Sequence, residues 1–126
     1  MKKIVITKEA PQPVGPYSQA VISNGLVFVS GQLPIDPITG NIVSESISGQ
    51  TTQVMKNLQA VLEAAGSSLD QVVKATVYVR DLSQFGAMNE VFARFFTQNP
   101  PARATIEAAR LPRDVLVEID VIAEVA

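Results

Sequence analysis

From Val115 to Val125 the chain alternates: Val115, Val117, Ile119, Val121 and Ala123 fall on one side, and Leu116, Glu118, Asp120, Ile122 and Glu124 on the other. A two-residue period of this kind predicts a strand with one face on a core. Lys3 to Ile6 suggests a short first strand, and the extended "APQPVGPY" that follows disfavours helix at its X-Pro steps. "YSQAVIS" and "LVFVS" flank Asn24-Gly25, the pair that supplies two positive-φ residues for a type I′ hairpin. From about Ser48 to Ala65, Val54, Leu58, Val61, Leu62 and Ala65 recur at helical spacing, with Gly66 placed as a left-handed cap. "VVKATVYV" predicts a β-branched strand. Ser83 is the expected cap of a second helix whose buried stripe is Phe85, Met88, Phe92, Phe95 and Phe96, and Asn99-Pro100-Pro101 stops it. Two strands follow, at about Ala102 to Glu107 and Val115 to Val125.

This order predicts an α+β or mixed-sheet sandwich with a right-handed crossover through the first helix. Two helices cover only one face of such a sheet. The other face would carry Leu116, Ile122 and alternate residues of "LVFV", an apolar patch that self-association would cover.

If the last two strands form a hairpin through "AARLPRD", residues whose numbers sum to about 221 pair, and Arg103 stands opposite Glu118. An ordinary cross-strand salt bridge would explain that pair, and at a surface it stabilises by roughly 0 to 1 kcal/mol. The other reading is a guanidinium fork for a bound carboxylate beside an acid that orients or deprotonates water. Beside a guanidinium, Glu118 would be held in its charged form.

Composition narrows the chemistry. The chain has 126 residues, 47% of them hydrophobic and 17% charged, which is enough for one domain (1–126) with a real core. Net charge is −2 and pI about 5.0, giving no global attraction for nucleic acid. The apolar run near the N-terminus is too short for a signal sequence or a membrane span, so a soluble, cytoplasmic protein is expected. With no Cys and no His there is no thiol nucleophile, imidazole base or typical zinc site, and acid–base work falls to carboxylate, Tyr, Lys or water.

Further candidates each have a plain structural explanation. Tyr17 and Ser30 near the ends of the hairpin could donate hydrogen bonds, although a Tyr at a strand start is often packing. Gly31 is either a bend or a place where a ligand approaches the backbone. Asn89, four residues from Phe85, is expected to be a satisfied amide beside the packed stripe of helix two.

The run "PARATI" (101–106), with "LPRD" (111–114), "VEI" (117–119), "GPYSQA" and "SGQLPIDPITG", closely resembles the signatures of the RidA/YjgF family of reactive-intermediate deaminases. The resemblance implies a chorismate-mutase-like subunit with a six-stranded mixed sheet and two helices on one face. It also implies a homotrimer with clefts between subunits, and cofactor-free, metal-free hydrolysis of 2-imino or enamine acids, such as 2-iminobutanoate and 2-iminopropanoate, to 2-oxo acids and ammonia. Such imines, released by pyridoxal-phosphate enzymes such as threonine dehydratase, otherwise damage enzymes of that kind. Arg103 matches the carboxylate clamp and Glu118 the water-positioning acid. Tyr17, Ser30, Gly31 and Asn89 match cleft-lining positions, with Phe85 as an apolar wall. Thr105 stands where many members have Cys, so its backbone rather than a thiol would meet ligand. No nucleic-acid or membrane partner is expected. The rival expectation is a non-catalytic 2-oxo acid-binding or regulatory module using the same cleft.

Overall fold

The computed structural model describes residues 1–125. In chain order they form β1 (Lys3–Val5), β2 (Ala20–Ser23), β3 (Leu26–Gln32), α1 (Ile47–Ala64), β4 (Val72–Val79), α2 (Phe85–Phe95), β5 (Ala102–Glu107) and β6 (Val117–Glu124). The expected α+β class and element order hold. Local chemistry explains several boundaries. Asn24 (φ 51°) and Gly25 (φ 75°) make the β2–β3 turn, with Ser23 paired to Leu26. Ser46 caps α1 by accepting from the Gly49 N–H. At the other end Gly66 takes φ 78°, its N–H bonding to Glu63 O and that of Ser67 to Leu62 O, a Schellman closure. The entry to α2 differs from expectation. Asp81, not Ser83, accepts from a backbone N–H, that of Ser83, and a short 3₁₀ turn at Leu82–Gln84 leads into the helix.

The six strands lie in the order β1-β2-β3-β6-β4-β5. The last strand is therefore central, antiparallel to β3 on one side and to β4 on the other. This overturns the expected β5–β6 hairpin: β5 pairs instead with β4, in parallel. The physical reason is the connection through α2, since a strand–helix–strand unit returns the chain parallel to where it started. Between β5 and β6 the chain also runs through a turn at Pro112–Asp114 with Arg113 (φ 57°) and Asp114 (φ 56°) in left-handed backbone, unlike a tight hairpin.

Both helices cover one face. Their Val54, Leu58, Val61, Leu62, Met88 and Phe92 bury against Val27, Val29, Ala75, Val77, Val117, Ile119 and Val121 of the sheet. The other face carries no helix and leaves Ile4, Phe28 and Ile106 exposed at 43%, 43% and 48%. Leu116, expected on that face, is half-buried and packs against the core cluster. Buried amides fasten the loops. Asn57 Nδ2 donates to Leu33 O (3.0 Å) and Ile35 O (2.9 Å), Gln19 binds Thr7 through both ends of its amide, and Gln50 Oε1 accepts from the Leu116 N–H (2.8 Å).

No helix among the described residues is long and apolar enough to cross a membrane.

Candidate functional site

Strand register decides where the two charged candidates stand. Arg103 on β5 pairs with Ala75 of β4, whose side chain is buried under the helices. Its guanidinium lies over the rings of Phe92 (4.8 Å) and Phe85 (5.5 Å) of α2. Glu118 on β6 pairs with Tyr78 of β4 and alternates with the buried Val117 and Ile119, so it projects from the helix-free face. Arg103 and Glu118 thus occupy opposite faces of the sheet. They are two strand spacings and three residues of register apart, on the order of 14 Å along the sheet. The expected cross-strand pair does not exist within one chain, because the parity argument assumed that β5 and β6 were neighbours.

Each residue has a cleft of its own. Arg103 shares a cavity of about 320 Å³ with Asn89, Phe92, Ala93, Phe96, Pro100 and Pro101. Its fork makes no hydrogen bond or ion pair with any described residue, and burial lowers the proton affinity of the guanidinium. The two aromatic rings hold it by cation–π contact, so its donors are oriented and unspent. Asn89 was expected to be satisfied, yet its buried Oδ1 has no partner among the described residues. An acceptor left bare beside an unspent fork is suited to a ligand that carries both a carboxylate and an N–H. Thr105, paired with Val77, shares the Arg103 face and is half-buried. Phe85 is 38% exposed, so it is a wall of this side rather than part of the buried stripe.

Glu118 lines a second cavity of about 460 Å³ with Val14, Tyr17, Ser30, Gly31, Leu33, Ile35, Pro112 and Arg113. A β-bulge builds its floor. Val29 pairs with Val121 but Gln32 with Ile119, so Ser30 and Gly31 together face Asp120. The bulge draws Gly31 against the Glu118 carboxylate, where a Cβ would lie 2.9 Å from Cδ and 3.2 Å from Cγ. Ser30 spends its hydroxyl on Ser18 O (2.6 Å), and the Tyr17 hydroxyl accepts only a long bond from the Val14 N–H (3.4 Å). Burial, and then the charge of Asp120, push the Glu118 carboxyl above the usual range. The expected depression by Arg103 is absent because Arg103 is not beside it.

The sequence reading therefore sorts into two groups that a single chain does not unite: Arg103, Asn89, Phe85 and Thr105 on one side, and Glu118, Tyr17, Ser30 and Gly31 on the other. It missed Phe92 as the ring under Arg103. It also missed Asp120 and Tyr78, where two acids at i, i+2 on an otherwise apolar strand were the available signal. Among the described residues no cluster of His, Cys, Asp and Glu is arranged to hold a metal ion.

An apolar-walled cleft with an acid of raised proton affinity thus lies on one face of the sheet, and a separate unspent guanidinium on the other. The chain belongs to the RidA/YjgF family: the family model described as Endoribonuclease L-PSP matches residues 7–125. It is 52% identical to a RutC family protein of Pyrococcus horikoshii over 98% of each chain. It is 44% identical to the 2-iminobutanoate/2-iminopropanoate deaminase of Salmonella typhimurium, again over 98% of each. Among solved structures, RidA from the Antarctic bacterium Psychrobacter sp. superposes with a TM-score of 0.94 at 43% identity, covering 98% of this chain and 99% of that one.

Proposed function

We propose that this protein is a cofactor-independent deaminase that hydrolyses 2-imino acids to 2-oxo acids and ammonia in clefts completed between copies of a homotrimer. One observation carries the reading: an unspent guanidinium and an unpaired acid lie on opposite faces of the same sheet, each lacking the partner that the other would supply. Joining the Arg103 side of one copy to the Glu118 side of the next unites them, and the exposed Ile4, Phe28 and Ile106 give the helix-free face a reason to be covered.

In such a cleft Arg103 grips the substrate carboxylate through two charge-assisted bonds and sets the imine carbon over a water held by Glu118. The bare Asn89 Oδ1 accepts from the imine N–H. The substrate reacts as the protonated imine: Glu118 takes a proton as the water oxygen bonds to carbon 2 and the C=N electron pair passes to nitrogen, forming the 2-amino-2-hydroxy acid. Glu118 returns that proton to the amine nitrogen, the C–N bond breaks and ammonia leaves, and the hydroxyl proton passes through Glu118 to ammonia as the C2–O bond becomes the carbonyl of the 2-oxo acid. Burial and the charge of Asp120 raise the proton affinity of Glu118 in the single chain; they oppose the lowering that a neighbouring Arg103 brings, and a bound carboxylate takes up that guanidinium, so Glu118 can hold the proton it takes. A long polyanion would instead meet Glu118 and Asp120 side by side, which favours a small substrate over RNA.

The test is subunit complementation. Arg103→Ala and Glu118→Gln should each lose imine hydrolysis in an assay coupled to threonine dehydratase. When the two are unfolded and refolded together at equal amounts, about one quarter of the clefts receive both native residues, and about that share of activity should return. No recovery from a mixed trimer would defeat the shared cleft. Saturable 2-oxo acid binding by the wild type without any hydrolysis would favour a sensor.

A further inference from the structure

Glu118 and Asp120 stand two residues apart on β6 and project from the same face. Tyr78 is the register partner of Glu118, yet its hydroxyl donates to Asp120 Oδ2 at 3.1 Å. The cross-strand phenol is thus committed to Asp120 rather than to its register partner, and Glu118 accepts no hydrogen bond from any described residue. The other neighbours are equally withdrawn. On the β3 side Gly31 has no side chain and Ser30 Oγ is turned to Ser18 O. Arg113, in the same cavity, gives Nη1 to Gly40 O at 3.1 Å, and Arg80 gives Nη1 to Asp114 O at 3.4 Å. Lys74 stands opposite Ile122, four residues of register from Glu118. Tyr17 completes the titratable groups of the cavity, and Arg103 of a neighbouring copy would face it in the assembly proposed above.

We infer that Asp120, pinned by Tyr78, is a positioning residue that keeps Glu118 unpaired and ready to accept a proton from water. Pinning has two effects. It fixes a negative charge beside Glu118, which disfavours a second ionised carboxylate there, and it occupies the hydroxyl that would otherwise stabilise ionised Glu118. Burial, then the charge and the hydrogen bond of Asp120, and last the charge of Glu118 hold the Tyr78 phenol above its ordinary value, so it remains a donor through the neutral range. Asp120 touches no substrate in this arrangement and acts only through Glu118. The inference rests on the reading of Glu118 as the base, but its own readout does not.

That readout is the Glu118 side-chain carboxyl resonance, followed against pH by ¹³C NMR in the full-length protein. Asp120→Asn removes the charge but keeps an acceptor for Tyr78, so the Glu118 titration should move to lower pH. Asp120→Ala also frees the hydroxyl to reach Glu118, so the titration should move lower still. Asp120→Ala/Tyr78→Phe should return it to the Asp120→Asn position. The acid limb of the kcat/KM profile for imine hydrolysis should shift downward in the same order, while the plateau falls as the base weakens. An unchanged Glu118 titration in folded Asp120→Asn overturns the inference, and Asn is isosteric enough to keep this arm available if the alanine variant fails to fold. Asp120→Ala titrating with Asp120→Asn overturns the hydroxyl half. If the NMR series runs as expected but the wild type hydrolyses no imine, the catalytic reading fails and the positioning of Glu118 stands.

Discussion

Gly31→Ala isolates the place of Glu118 from its charge. The backbone of Gly31 is outside the left-handed region, so alanine brings no conformational strain, and restricting the unfolded chain stabilises by about 0.4–1 kcal/mol. Against that stands the collision: the new Cβ lies 2.9 Å from Glu118 Cδ and 3.2 Å from Cγ, with the carboxylate closer still. Overpacking costs about 1–3 kcal/mol, at the low end here because the end of a glutamate can swing aside. The two terms nearly cancel, so net destabilisation should stay under about 2 kcal/mol. Relief requires the carboxylate to move by roughly 1 Å, a displacement that costs on the order of 10²-fold in rate when the moved group aligns the reacting atoms. Urea unfolding and the coupled imine assay should therefore disagree: a nearly normal midpoint with kcat/KM down about a hundredfold. The Gly31→Ala/Glu118→Gln double variant should be no worse than Glu118→Gln, because both changes act on one group. Full activity in folded Gly31→Ala, or additive losses in the double variant, would refute the claim that this contact places the base.

Three further outcomes follow from the geometry. Asn57→Ala strips the buried donor from Leu33 O and Ile35 O and should destabilise by about 2–4 kcal/mol in denaturant titrations, with no change of net charge. Phe85→Leu keeps an apolar wall but removes one ring from Arg103, so 2-oxo acid affinity by calorimetry should fall about two- to fivefold, matching about 0.5–1 kcal/mol of cation–π contact. In an Arg103→Ala background, where no guanidinium meets Glu118, the raised folded-state pKa means that ionising Glu118 opposes folding. The stability associated with its protonated form is present in acid and is lost as pH rises through the folded pKa, so adding Glu118→Gln should raise Tm at neutral pH and leave it unchanged in acid.

What the sequence disclosed was local. The Asn24-Gly25 turn, the Gly66 cap and the alternation of β6 are fixed by dihedral sterics and by burial of one face, and all three appear as expected. Pairing across the sheet was not legible, because it depends on which strands are neighbours. The reading joined β5 to β6 by proximity in the chain, whereas α2 carries β5 back parallel to β4 and β6 inserts between β4 and β3. One wrong neighbour put Arg103 and Thr105 on the face of Glu118 when they share that of Ala75 and Val77. The motif resemblance points to the same residues whichever strands are neighbours, since it does not depend on register. The amide tethers left a faint trace: Gln50 and Asn57, seven apart among Val54, Leu58 and Val61, are polar residues on the buried side of α1.

The central place of β6 has a consequence for how the molecule comes to exist. It is the last of the six strands in chain order, yet the β1-β2-β3 half of the sheet meets the β4-β5 half only through it. As the chain emerges from the ribosome, both must wait with unpaired edges facing the slot that β6 will fill. A chain halted before Val117 holds two open templates for intermolecular strand addition, so the hazard in synthesis lies in this waiting interval. Most of the core-facing residues are present before it closes, but the closing piece, with its own Val117, Ile119, Val121 and Ala123, arrives last.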